Sequence, residues 1–250
     1  MIPAHAIVRP PGDTYPDSLT RLAPPPPVDL DLARRQHAAY EAALRECGLE
    51  VIVLSPDPEH PDSVFVQDPI LVGDGRAIVC RSAAESRRGE ADALVEVLRP
   101  HMDIVELRPP ATLDGDDVLI ADRRLVVGLS TRSNRAACEQ LGEITGWPVE
   151  GVPLPENLLH LLSGCTTPGA NRLLVVESLA PLMPGFEHIL VPGDEEQAAN
   201  VLIVGHHAIV PAGYPKTAAL VEQCGFEIHF APMSEYEKRD GGVTCSSLLF

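Results

Sequence analysis

Positive charge is scarce in this chain. Lysine and arginine total 19 against 36 aspartates and glutamates in 250 residues, a formal net charge of −17. A surface of that sign repels phosphate backbones and anionic headgroups, which argues against a nucleic-acid or anionic-membrane partner and is compatible with a cationic small ligand. Long apolar runs are missing as well: none approaches the roughly 20 residues that a spanning helix needs. The opening MIPAHAIVRPPGD has neither the basic n-region nor the apolar h-region of a leader. The six cysteines (Cys47, Cys80, Cys138, Cys165, Cys224 and Cys245) include no C-x-x-C pair and no regular framework, so a disulfide scaffold or zinc ribbon is not read from them. The expectation is a soluble, reduced, cytoplasmic protein. What is present is ordinary globular material, 45% hydrophobic and 22% charged, at a length with ample core.

Short β-rich runs punctuated by Pro or Gly recur along the chain, at 5–8, 50–54, 76–80, 103–107, 118–120, 124–127, 172–176, 188–191, 208–210 and 227–230. Helical patterns fall between them, at 31–47, 88–98, 133–144, 195–199 and 217–224. Strands and helices interleaved over the whole length, with no long linker, predict a single domain, 1–250, made of one α/β unit repeated at about 50 residues. Residues 11–28, with Pro24 to Pro27 at their end, read as one long loop, either a lid or a solvated surface segment.

The tail DGGVTCSSLLF is apolar where a free chain end is normally polar. It reads as a strand tucked into the core with Cys245 at its edge, and its two glycines as a path with positive φ or a close approach of other chain. Alone, Cys245 reads first as one more small buried side chain, and what overturns that lies upstream. Four further islands bear on it. PDSVFVQDP places Asp62 and Asp68 around an apolar run, and on one strand face they would need a cation between them or solvent around them. AESRRGE and TRSN put Arg87 and Arg132 at helix starts, where a guanidinium opposes the macrodipole unless an anion sits there; solvated arginines are the plain alternative. LDGDDV is an acidic turn, and a poor calcium loop. His160, framed by leucines, is either a hydrogen-bonded core histidine or a poised acid/base. His206 and His207 suggest no chemistry. Taken together, a cysteine, a histidine and an orienting carboxylate form a nucleophile–base–orienter set. An acidic pocket for a cation and arginines for a carboxylate then describe an arginine-like amino acid as ligand.

The order PDSVFVQDP, AESRRGE, LDGDDVL, GLSTRSN, LLHLLSG, AAN, PAGYP, SEYEK and DGGVTC resembles the dimethylarginine dimethylaminohydrolase family, part of the guanidino-group-modifying (pentein) superfamily with arginine deiminases and amidinotransferases. The likeness runs from Arg9 to Phe250. It implies a five-bladed pseudo-symmetric β/α propeller, no cofactor, no metal, a small guanidino amino acid as the partner, and compatibility with a homodimer. It further implies Cys245 as nucleophile, His160 as general acid/base and Asp114 as the carboxylate that bonds the histidine or substrate. Asp68 would hold the guanidinium, Asp62 the α-amino group, and Arg87 and Arg132 the α-carboxylate. Leu19 would lie on the lid, and the Arg239 carbonyl would line the pocket. Three positions depart from the family's usual pattern: Asp114 stands where several bacterial members carry glutamate, though aspartate also occurs, Gln67 stands for a glutamate usual in the acidic pair, and Asp116 for a common glycine. The activity implied is hydrolysis of an N-methylated arginine to citrulline and an alkylamine. An arginine deiminase or related guanidine hydrolase is the alternative, and a non-catalytic amino-acid-binding propeller is the alternative of another class. Deiminases carry an aspartate two residues after the histidine, where this chain has Leu162.

Overall fold

Each β-rich run becomes a strand, and among the described residues, 2–250, the strands assemble into five three-stranded sheets on one plan. A central strand has an antiparallel neighbour on one side and a parallel neighbour on the other. The central strands are His5–Val8, Arg76–Val79, Arg124–Leu129, Arg172–Val175 and His207–Pro211. A parallel pair cannot be joined by a tight turn. Four of the five crossovers are accordingly the helices Leu30–Glu46, Asp92–Leu98, Arg135–Thr145 and Pro215–Gln223, while the fourth in chain order carries only the 3₁₀ turn Ala180–Leu182. In four sheets the antiparallel strand immediately precedes the central one. In the sheet of His5–Val8 it is the C-terminal Leu248–Leu249, with Ala6 opposite Leu249 and Ile7 opposite Leu248.

The sheets fall into two compact units. Residues up to Val66 together with Val191–Phe250 hold the sheets centred on His5–Val8 and His207–Pro211; Gln67–Leu190 hold the other three. In the first unit, helix Leu30–Glu46 is capped by Asp29, whose carboxylate accepts the Leu32 N–H at 2.9 Å. Its buried face, Ala33, Tyr40, Ala43 and Leu44, packs with Ala6, Val8 and Tyr236 into one core, each large side chain contributing about 1.5–3 kcal/mol. The second unit has its own core, built from Ile78, Leu113, Leu125, Val127 and Leu141. Among the described residues no helix is long and apolar enough to cross a membrane.

Three expectations are corrected. Asp62 and Asp68 do not share a strand: Pro61–Val64 is a 3₁₀ turn, started by Pro at its first position, and Asp68 precedes the strand Ile70–Gly73. Arg87 and Arg132 do not open α-helices. Arg87 ends the 3₁₀ turn Glu85–Arg87, and Arg132 lies ahead of Asn134, which caps Arg135–Thr145. The tail is strand only at Leu248–Leu249, so Cys245 sits in the turn before it.

Candidate active site

In the first unit the tail is held from several sides. Gly241 and Gly242 serve close approach rather than positive φ: a Cβ on Gly241 would lie 2.3 Å from the Phe65 ring, and one on Gly242 2.5 Å from Asn200 Oδ1. The left-handed residue is Asp240, at φ 56°, a conformation that aspartate tolerates better than most. Asn200 accepts the Thr244 N–H at 3.0 Å and donates to Thr244 Oγ1 at 2.6 Å. The Tyr40 hydroxyl donates to the Val243 carbonyl at 2.6 Å and lies 2.7 Å from Ser247 Oγ. Between these clamps Cys245 is buried, and its Sγ accepts the Gly242 N–H at 3.3 Å.

The segment 11–28 is fastened to the residues just before that turn. It contains the 3₁₀ turn Tyr15–Asp17. Asp240 Oδ2 accepts from Thr20 Oγ1 at 2.9 Å and from the Arg21 N–H at 2.7 Å. The Arg239 guanidinium donates to the carbonyls of Pro16 at 2.7 Å and Pro26 at 3.0 Å. Arg239 was expected through its carbonyl; its side chain is what ties this segment down. Asp62, buried, accepts the N–H of the exposed Leu19 at 3.0 Å.

The second unit gathers Asp68, Arg87, Asp114, Arg132 and His160. The 3₁₀ turn Gly115–Asp117 makes this arrangement, because residues three apart eclipse in such a turn and both Asp114 and Asp117 become fully buried. Gly115 is required there, since a Cβ would fall 2.1 Å from the Gln67 carbonyl oxygen. Its N–H donates to the Asp68 carbonyl at 2.8 Å. Asp68 Oδ2 accepts from Arg87 Nη1 at 2.7 Å, and Glu90 takes Arg87 Nη2 at 2.8 Å and Nε at 3.1 Å. Arg132 Nη1 lies 3.3 Å from Asp114 Oδ2, while Asp114 Oδ1 is buried with no hydrogen-bond partner among the described residues. His160 has Nδ1 3.3 Å from Asp117 Oδ1 and Nε2 3.9 Å from Asp68 Oδ1. Asp117, which the sequence reading passed over, is the carboxylate nearest the imidazole, while Asp114, whose ligand atom lies within 4.8 Å of those of His160 and Asp68, meets Arg132 through Oδ2.

These neighbours set the protonation states. Burial pushes the Asp68 carboxyl up, but the Arg87 and His160 cations outweigh it and hold it below the usual range. Burial and then the Asp68 charge lift the Asp114 carboxyl. Burial alone would lower the His160 value, yet Asp68, Asp117 and Asp114 together lift it to about 10. His160 is thus an imidazolium at neutral pH. Because this exceeds the ordinary 6.5, the paired cation stabilises the fold fully below about pH 6.5, and that contribution is lost as pH rises through about 10. NMR titration of the free protein should place His160 near that upper value, and a bound guanidinium, by neutralising the carboxylates, should lower it. A free-protein titration near 6.5 would remove the ion cluster from the account.

Known proteins resemble this chain along its whole length. The family described as N,N dimethylarginine dimethylhydrolase, eukaryotic, matches over residues 28–153. The chain is 35% identical over 255 residues to N(G),N(G)-dimethylarginine dimethylaminohydrolase of Pseudomonas aeruginosa, covering 98% of this chain and 99% of that one. A solved structure of the P. aeruginosa enzyme, a cysteine-to-serine variant complexed with citrulline, matches all of both chains with 34% identity and a TM-score of 0.95. A histidine-to-glycine variant of a dimethylarginine dimethylaminohydrolase, as its adduct with S-methyl-L-thiocitrulline, matches equally completely, at 34% identity and a TM-score of 0.94. The fold is the five-bladed β/α propeller, and with sequence identity sustained from end to end the chain belongs to the dimethylarginine dimethylaminohydrolase family.

Proposed function

We propose that the protein hydrolyses an Nω-methylated L-arginine to L-citrulline and a methylamine through a covalent thiouronium on Cys245. The observation that carries the reading is the buried Asp68–Asp114–His160 cluster, whose orphaned Asp114 oxygen calls for a cationic donor such as a guanidinium N–H. A guanidinium carbon is a poor electrophile because its charge is delocalised; carboxylates along its edge localise that charge and fix its plane. The Cys245 thiolate attacks this carbon, the bond to the methylated nitrogen breaks, and the His160 imidazolium gives its proton to the departing amine. Neutral His160 then takes a proton from water, the hydroxide adds to the thiouronium carbon, and the C–S bond breaks as the new hydroxyl gives its proton to solvent, which returns the thiolate and citrulline. Asp117 holds the imidazole through both steps.

At the amino-acid end we assign Asp62 to the α-amino group, Leu19 to the covering segment, and the Arg239 carbonyl to the wall. Arg132, with one guanidinium nitrogen on Asp114, takes the α-carboxylate. Arg87, expected there too, has its guanidinium engaged by Asp68 and Glu90, which makes it the anchor of the guanidinium-binding carboxylate. Gln67 borders the same carboxylate.

Substrate choice turns on Leu162, half-buried two residues after His160. An unsubstituted NH₂ facing leucine loses hydrogen bonds it had in water, whereas a methylated nitrogen has fewer to lose. The expected preference is about 1–3 kcal/mol, or roughly ten- to a hundredfold in kcat/KM, for mono- or dimethylarginine over arginine. Competition between asymmetric dimethylarginine and arginine, read as dimethylamine against ammonia, measures it. A preference for arginine would make the protein a deiminase, and turnover of neither would leave the binding propeller.

A further inference from the structure

Among the described residues, two groups of metal-ligating side chains that share His207 lie outside the candidate active site: Cys47, His207 and His229, and His206, His207 and Glu227. They sit in the first unit, where the C-terminal end of helix Leu30–Glu46 meets the strands His207–Pro211 and Glu227–Ala231. The parallel register sets His207 opposite Glu227, and His229 two residues further along the same strand. Alternation then brings all three to one face. His207 Nδ1 lies 3.0 Å from His229 Nε2 and 3.5 Å from Glu227 Oε2. Cys47, buried and a free thiol, follows the last helical turn, and ligand atoms of Cys47, His207 and His229 all lie within 4.8 Å of one another. On the far side of the His229 ring, Nδ1 lies 3.3 Å from Glu46 Oε2. With Nδ1–H donated to Glu46, the His229 Nε2 lone pair is left pointing into the cluster. This carboxylate–histidine arrangement is the usual outer partner of a metal-bound imidazole.

We infer that Cys47, His207, His229 and Glu227 bind a divalent transition-metal ion of the zinc class. Two imidazoles and a thiolate select such an ion over calcium or magnesium. Ligand atoms about 2.0–2.3 Å from a tetrahedral ion stand about 3.3–3.8 Å apart. The observed separations of 3.0 Å and up to 4.8 Å bracket that range, so side-chain adjustments below about 1 Å close the site. Binding replaces the hydrogen between the imidazoles: the His207 proton moves to Nε2 and the Cys47 thiol releases its own to solvent. A thiolate and a carboxylate then balance the charge of the ion. Glu227 is exposed and both histidines are partly so, which leaves an entry path from solvent. The ion would tie the end of a crossover helix to the sheet beneath it.

The test uses full-length Cys245→Ser protein freed of metal with a chelator, so that thiolate ligation cannot come from the nucleophile. Cobalt(II) should bind once per chain with the intense visible bands of a tetrahedral site and a near-ultraviolet thiolate-to-cobalt band. Zinc should displace it and raise Tm. Further replacement by Cys47→Ser should abolish the thiolate band, His207→Asn or His229→Gln should abolish tight binding, and Glu46→Gln should weaken it about ten- to a hundredfold. The histidine variants are polar and partly exposed, so they test the site even if Cys47→Ser fails to fold. No cobalt spectrum in the parent, or a spectrum unchanged by His207→Asn and His229→Gln, would overturn the assignment.

Discussion

Cys245→Ser protein should fold and lose at least about a thousandfold in kcat, which is about 4 kcal/mol of transition-state stabilisation. The substitution exchanges one small side chain for another in a turn whose shape is set elsewhere: by Asn200 on Thr244, Tyr40 on Val243 and Ser247, and the Leu248–Leu249 pairing with His5–Val8. Stability should therefore change little. The chemistry changes much more, because a serine hydroxyl is barely ionised near neutral pH. His160, already an imidazolium, is in the wrong state to deprotonate it. A steady-state citrulline assay beside a thermal melt separates the two effects. Turnover within about tenfold of the parent, about 1.4 kcal/mol, would show that the thiol is not the nucleophile.

Arg87→Ala and Arg132→Ala should fail differently. Arg87 is 4% exposed and sits between Asp68, 6% exposed, and Glu90, 1% exposed. Removing it strands two buried carboxylates, and breaking a buried ion pair from one side costs about 3–5 kcal/mol. For a chain of this size that is a fall in Tm of roughly 6–20 °C. Activity toward ligands with and without an α-carboxylate should drop together, because the damage reaches the substrate through Asp68. Arg132 is 17% exposed in its side chain and meets one carboxylate. Its loss leaves the buried Asp114 without that partner, so Tm should fall, by less than for Arg87, which anchors two carboxylates. KM should rise about ten- to a hundredfold for free amino-acid substrates, the equivalent of about 1.5–3 kcal/mol for a charge-assisted bond, and by a much smaller factor for a guanidine lacking the carboxylate. Loss of the two ligand types in equal proportion on Arg132→Ala would remove it from the carboxylate end.

Much of this fold is legible along the chain, because β-branched runs closed by Gly or Pro mark most strands directly. The runs at 76–80, 124–127 and 208–210 all become central strands. Two of the strands that escape are too short or too mixed to carry a period: Cys165–Thr166 has two residues, and Val149–Pro153 contains both Gly and Pro; Ile70–Gly73 and Leu202–Val204 carry the same apolar, glycine-closed signal as the others and are legible but unread. The apolar run between Asp62 and Asp68 suggests a strand, but Pro61 presets a helical φ and the chain turns at Pro61–Val64. Within the site, residue types were easier to read than partners. LDGDDV offers three carboxylates, and only the tertiary placement of Leu161, whose N–H donates to Asp117 Oδ1 at 3.1 Å, determines that Asp117 meets His160. Arg87 reads as a ligand for an anion. The anion it holds is the protein's own, because Glu90 lies three residues on and Asp68 enters from a different strand end. Asp116 is fully buried, and its N–H donates to Asp68 Oδ1 at 3.4 Å.

The central claim is a covalent bond between Cys245 and the guanidino carbon. His160→Gly protein treated with S-methyl-L-thiocitrulline tests it most directly. Methanethiolate leaves without an acid, so the thiouronium can form, and without His160 there is no base to bring in water and clear it. Peptide mass spectrometry should find the amidino adduct on Cys245, with methanethiol released in equal amount. An unmodified Cys245, or an adduct on any of the other five cysteines, would contradict the mechanism.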